Sequence, residues 1–151
     1  MNFIPAENEL GDPQIKLRLD ELGIEYEVLN SGTYMTLVEA GDGQKKQAVF
    51  IRSRRHEIGA LKMREIFAPV FMSPDPFEAE FANSLLTINS VLKVGCCAVG
   101  VDDDGEHTLA VSLKINAFLS AEELNDAIEI AAATATQVKK MYMASVSIER
   151  N

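Results

Sequence analysis

Between Asp75 and Met143 the chain changes hydrophobic period twice, and this order constrains the fold more than any other feature. Phe77, Phe81, Leu85, Ile88 and Leu92 recur at helical spacing. Asp75 is placed to cap that helix, Pro76 suits its first turn, and Glu78 extends a box-like start. Gly95 lies past the helix end. Val94–Val101 then reads as a strand, Asp102–Gly105 as a turn and His107–Asn116 as the returning strand, because Leu109, Val111, Leu113 and Ile115 alternate with Ala110, Ser112 and Lys114. Ser120-Ala121-Glu122-Glu123 is a capping box for a last helix, lined on one side by Leu124, Ala127, Ile128, Ala131, Ala135 and Val138. Lys139 and Lys140 suit the negative end of its dipole.

The first half reads as helix followed by strands. Asp12-Pro13 opens a helix with an Ile15, Leu19, Leu22 stripe, and Gly23 stops it. Ile24, Tyr26 and Val28 alternate with glutamates as in a half-buried strand. A turn at Asn30-Ser31-Gly32 leads to a strand over Thr33–Ala40, and Gly41-Asp42-Gly43 turns the chain into Gln47–Ser53. Arg54–Gly59 reads as a connection, followed by a strand from about Leu61 to Phe71. A short helix over Ala60–Phe67 is the competing reading, which Pro69 would cut short. The expected class is α+β with a largely antiparallel sheet, in the order α-β-β-β-(β)-α-β-β-α. One domain over 12–143 is expected, with 1–11 as a flexible lead-in and 144–151 as a tail.

Three segments carry a resemblance. Ser84-Leu85-Leu86-Thr87-Ile88-Asn89, the Asp102–Gly105 hairpin and Leu119-Ser120-Ala121-Glu122-Glu123-Leu124 resemble the Leu-Leu-x-x-Asn helix ending, the Asp/Gly-rich hairpin and the Ser-x-Glu-Glu-Leu helix start of the YbjN family. That family is grouped with type III secretion chaperone-like folds. The resemblance spans roughly Ile15 to Met143. It implies a compact α+β module, often dimeric, that binds polypeptides or acts in regulation, and it brings no catalytic residues.

Composition narrows the function classes. The chain has 151 residues and a net charge of −9, which opposes general affinity for nucleic acid or anionic membranes. No apolar run approaches the ~20 residues of a membrane span, and Met1–Asp12 lacks the pattern of a secretory signal, so the cytosol is the expected compartment. Charge is concentrated locally. Lys45–Arg64 contains seven basic residues against Glu57 alone, a local +6 that leaves −15 on the remainder.

No catalytic or metal motif emerges, and no cofactor is expected. His56-Glu57 begins a zinc-protease pattern, but Ala60 stands where the second histidine is required. Asp102-Asp103-Asp104 is consecutive, whereas a calcium loop spaces its oxygens at alternate positions, so an Asp-Gly turn is expected. Adjacent Cys96 and Cys97 would point to opposite faces of a strand, so at least one is expected to be a small core residue. Leu85 and Ile88 read as core, and Asn89 as a residue that ends its helix.

Two functional readings follow. The first is a non-enzymatic module, expected to be a homodimer, binding a polypeptide through Ile15, Leu19, Met63, Ile66 and Phe67. The alternative is a binding domain for an anionic ligand or nucleic acid through Arg52, Arg54, Arg55, Lys62 and Arg64, since clustered arginines grip phosphate or carboxylate. Against the nucleic-acid form, only Phe50 and Phe67 lie near those arginines in sequence as stacking aromatics.

Overall fold

Asp12 uses nearly all of its polar groups to start the first helix and fix it to the sheet. Its carboxylate accepts from the Gln14 N–H at 2.9 Å, and Pro13 fills the first helical position of α1, Pro13–Leu22. Gly23 closes α1 in the left-handed conformation that glycine adopts at low cost. The Asp12 N–H donates to Ser53 Oγ at 2.9 Å, and the Tyr34 hydroxyl donates to the Asp12 carbonyl at 3.1 Å. The computed structural model describes residues 11–40 and 45–150. Residues 1–10 of the expected 1–11 lead-in and the Gly41–Gly43 turn lie outside the described residues.

Six strands form one antiparallel sheet. They are β1 (Glu27–Val28), β2 (Tyr34–Ala40), β3 (Lys45–Ile58), β4 (Leu61–Ser73), β5 (Cys96–Val101) and β6 (His107–Asn116). Their spatial order is β1-β2-β3-β4-β6-β5. Helix α2, Ala79–Asn89, connects β4 to the edge strand β5, and α3, Ala121–Arg150, crosses one face of the sheet. The expected α+β order is therefore the observed one, with the optional strand present as β4.

The core lies between α3 and one face of the sheet. Leu124, Ala127, Ile128, Ala131, Ala135 and Val138 are all buried, as their spacing predicts. Facing them are Tyr34 on β2, Val49 and Ile51 on β3, Ile66, Ala68 and Val70 on β4, and Leu109, Val111 and Leu113 on β6. Each large aliphatic side chain removed from water here contributes about 1.5–3 kcal/mol. The alanines let the α3 backbone approach the sheet closely. Ser120 and Glu123 cap α3 reciprocally, each backbone N–H donating to the other's side chain at 3.2 Å.

Two irregularities shape the central strands. Between Ile51 and Arg55 the β3–β4 register shifts, and Arg64 donates to the carbonyls of Arg52 (3.0 Å) and Ser53 (2.8 Å) within the shift. Further along, β4 carries Pro69, which has no N–H to give a neighbour. There the buried Gln47 side chain donates to the Pro69 carbonyl at 2.8 Å and bridges β3 to β4. A second register shift lies between Pro69 and Phe71.

Several boundaries differ from the sequence reading, four of them with consequences for the fold. The first strand is shorter, only Glu27–Val28. Arg54–Ile58 is not a connection but the continuation of β3, paired through Ile58↔Leu61 into a hairpin with β4. Helix α2 begins after Glu78 rather than at Asp75, and no side chain caps it. Phe77 sits before α2 within an aromatic cluster, its ring centroid 6.1 Å from Phe71 and 5.9 Å from Phe81, and Glu78 is extended. Helix α3 runs to Arg150 instead of ending at Met143. Tyr142 lies 4.4 Å from Phe71 and 4.9 Å from Phe81, so its distal half closes the same aromatic cluster.

Candidate functional site

Among the described residues, helices pack on only one side of the sheet and leave its other side open, and strand alternation decides which residues stand there. The pairings Met35↔Phe50, Phe50↔Phe67, Phe67↔Ser112 and Cys96↔Ser112 set one row across five strands. Neighbouring rows add Leu37 and Ala48, then Arg52, Glu65 and Lys114. No core residue of α3 meets this row. Leu37 is exposed, and Met35, Phe50 and Phe67 are half-buried by one another.

The centre of the open face is an aromatic stack flanked by an ion cluster. Phe50 and Phe67 lie parallel with centroids 5.0 Å apart, and the Arg52 guanidinium sits 4.5 Å above the Phe67 ring. Arg52 Nε donates to Glu65 at 2.7 Å, and Lys114 Nζ donates to the other Glu65 oxygen at 2.7 Å. The Ser112 hydroxyl donates to that same oxygen. Partial burial pushes the Glu65 pKa up, but the hydrogen bonds from Lys114, Ser112 and Arg52 outweigh it and hold the carboxyl at about 2. The cluster therefore stays ionised and fixed at neutral pH. It orients Arg52 over the stack.

The sequence-derived binding residues divide between this face and the core. Phe67 and Met63 are on the open face, half-buried. Ile15, Leu19 and Ile66 are buried among the core residues, because α1 turns its stripe inward against α3 and Ile66 points to the α3 side of β4. They do not present a surface to a partner.

The basic segment does not form one patch. Arg52 belongs to the open face, and Arg54 is exposed within the register shift. Arg55 and Lys62 flank the exposed Phe118 ring, at 5.0 and 5.6 Å, at the α1 side of the sheet. Arg64 is buried, its side chain only 3% exposed, with Nη2 2.6 Å from Asp12 Oδ2. Its guanidinium is thus consumed by Asp12 and two carbonyls, which corrects its reading as an anion-binding residue. A small cleft nearby, lined by Gln14, Ile15, Arg18, Ile115 and Phe118, has charged walls that are already paired: Arg64 with Asp12, and Arg18 with Glu21 at 3.3 Å.

Two residues gain roles that their sequence context did not show. Asn89 does more than end α2. Its Oδ1 accepts from the Cys97 N–H at 2.7 Å and its Nδ2 donates to the Cys97 carbonyl at 3.1 Å. Asp102 organises the hairpin turn by accepting from the N–H groups of Asp104 and Glu106, both at 2.9 Å. Among the described residues, no group of three or more His, Cys, Asp or Glu side chains is placed to hold a metal. No described helix is long and apolar enough to cross a membrane.

No protein-family model matches the sequence, and no curated protein matches it. Among solved structures, the crystal structure of YbjN from E. coli, a candidate transcription regulator, is similar over 88% of this chain and 91% of that chain, with a TM-score of 0.59. This chain has the YbjN fold. Identity between the two is 16%, so the likeness is one of architecture. It agrees with the resemblance to YbjN carried by the helix ending, the hairpin and the last capping box.

Proposed function

We propose that this chain acts by binding rather than catalysis, as a regulatory or chaperone-type module that takes a polypeptide on its open sheet face. The observation that carries this reading is the row Met35, Phe50, Phe67 and Cys96, which no described helix covers, backed by the fixed Arg52–Glu65–Lys114 cluster. Contiguous apolar surface rimmed by polar groups is the usual form of a protein interaction site. Electrostatics favour the same face. Its paired rows carry Glu27, Glu39 and Glu65 against Lys46, Arg52 and Lys114, with the exposed Arg54 beside Arg52 in sequence, in a chain of net −9. The acidic excess of the chain therefore lies away from this face. The shared fold with YbjN, a candidate transcription regulator, accords with a regulatory role.

The test is site-specific crosslinking in lysate. A photoreactive residue is placed at Leu37 or Ala48 on the open face, and at the exposed Glu129 of α3 as a reference. The expected result is one discrete adduct from the open-face positions only, lost in a Phe50→Ser variant that keeps its melting temperature. An adduct of twice the chain mass would identify the partner as a second copy, as the homodimer expectation requires. Equal labelling from Glu129, or no adduct from either open-face position, overturns the reading.

A further inference from the structure

The sheet has two edges, and they are protected very differently. β1 is only two residues long, which is itself a defence against unwanted pairing. β5 is six residues, Cys-Cys-Ala-Val-Gly-Val, with no charge, no proline and no register shift against β6. Natural edge strands of this length usually carry one of those devices.

Part of the β5 edge is already occupied, and the occupant is informative. Along an antiparallel strand the outward-facing backbone groups alternate, and the Cys97 contacts place them at residues 97, 99 and 101. The Asn89 side-chain amide meets both the N–H and the carbonyl of Cys97, as the N–H and carbonyl of one residue on an antiparallel neighbour would. Beyond it, Val99 and Val101 present their N–H and carbonyl groups outward. Their side chains are 47% and 61% exposed, and Leu86, one helical turn before Asn89, is 67% exposed.

Gly100 supplies a second observation. Its φ is not positive, and a Cβ added there would meet nothing within 4 Å. A glycine inside a strand weakens that strand, and nothing in the described fold requires one at this position. Strand glycines of this kind mark places where another backbone or side chain approaches closely. The turn that follows is acidic. Asp102, Asp103, Asp104 and Glu106 make no ion pair among the described residues.

We propose that the β5 edge is a strand-docking site, which takes, antiparallel to β5, an extended, uncharged, β-branched segment of a separate polypeptide preceded by basic residues. The segment continues the sheet past Asn89 by pairing with Val99 and Val101. One of its side chains lies over Gly100, and its basic residues meet the Asp102–Glu106 turn. Main-chain pairing supplies affinity, and the alternating side chains supply selectivity. The inference rests on the reading of this chain as a polypeptide-binding module, but it uses residues distinct from those of the open face.

The test uses the full chain and a fluorescein-labelled octapeptide, Lys-Lys-Lys-Thr-Val-Thr-Val-Thr, followed by fluorescence anisotropy. Saturable binding is expected. The same peptide with alternate backbone amides N-methylated should not bind, and a form with glutamates replacing the lysines should bind at least tenfold more weakly. Val99→Pro removes an outward N–H where an edge strand tolerates proline, and should weaken binding at least tenfold. Gly100→Thr should do the same while the melting temperature holds or rises, so loss of fold cannot account for it. Phe67→Ser should leave the affinity unchanged, which separates this site from the open face. The proposal is overturned if the wild-type chain shows no saturable binding, or if Val99→Pro and Gly100→Thr both bind as the wild type does. Self-association that Val99→Pro abolishes and the peptide cannot compete with would overturn the assignment to a separate polypeptide.

Discussion

Arg64 and Asp12, 52 residues apart in sequence, are held 2.6 Å apart through Nη2 and Oδ2, joining the start of α1 to the first part of β4. Arg55 adds a second, longer contact to the same oxygen at 3.2 Å. Removing Arg64 would leave the mostly buried Asp12 carboxylate only the longer Arg55 contact and the Gln14 N–H, and would take the donor from the Arg52 and Ser53 carbonyls. Arg64→Met is expected to cost about 3–5 kcal/mol in urea denaturation, the range for breaking a buried pair from one side. Asp12→Asn keeps an oxygen to cap Gln14 and should cost less, about 1–3 kcal/mol. The double variant should lose less than the two singles together, because neither leaves the other's partner unpaired. A neutral Arg64→Met would show that the pair is dispensable.

Acid should weaken the fold through Glu65 and Asp12. For Asp12, burial raises the pKa, but the Arg64 and Gln14 hydrogen bonds and the Arg64 charge bring it below its ordinary 3.8. Glu65 is held at about 2 against an ordinary 4.5. A carboxyl whose pKa is lower in the folded chain binds protons more readily when unfolded. Its stabilisation is therefore complete above the ordinary value and is lost as pH falls through the folded one. Urea midpoints should fall between pH 4.5 and about 2. Glu65→Gln should be less stable than wild type at pH 7 by roughly 1–2 kcal/mol, and should lose less across the acid window. An unchanged acid slope in Glu65→Gln would rule out this linkage.

Much of the fold was legible where a local signal and the tertiary contact agreed. The Ser120–Glu123 box, the α3 stripe and the β6 alternation each name both an element and its buried face. The extension of β3 through Arg54–Ile58 was not legible. That stretch is almost entirely charged or polar, and its strand geometry comes from the hairpin with β4 and from Arg64, which is distant in sequence. The α2 start was misplaced because Asp75-Pro76 is a good local cap, while the Phe71, Phe77, Phe81 and Tyr142 contacts that determine the entry are long-range. Alternation in β2, β3 and β4 separates two faces but does not say which one the helices cover. For that reason Ile66 and its neighbour Phe67 receive the same reading from sequence, whereas Ile66 is buried under α3 and Phe67 stands on the other face.

Asn89 ties the end of α2 to the edge strand by two hydrogen bonds to one residue, Cys97. Asn89→Ala leaves the Cys97 N–H and carbonyl without that partner and is expected to cost about 1–3 kcal/mol. The loss should be local. Hydrogen exchange at the Cys97 amide should accelerate strongly, while the β6 amides facing β4 should keep their wild-type protection. Uniform acceleration across the sheet would mean that Asn89 supports the whole fold rather than its edge.

The two cysteines provide a built-in contrast between the faces of β5. Cys96 is exposed beside Ser112 on the open face, whereas Cys97 is buried, and that burial pushes its thiol pKa up. A thiol reacts through its thiolate, so access and pKa both disfavour Cys97. A maleimide at neutral pH should modify one thiol per native chain, located at Cys96 by peptide mass, and two in urea. Cys96→Ser should abolish the native reaction, and Cys97→Ser should leave it intact. A polypeptide seated on the open face should slow the Cys96 reaction, whereas the octapeptide on the outward side of β5 should slow it far less. Reaction of both thiols at equal rates in the native chain would contradict the packing of β5 against the core.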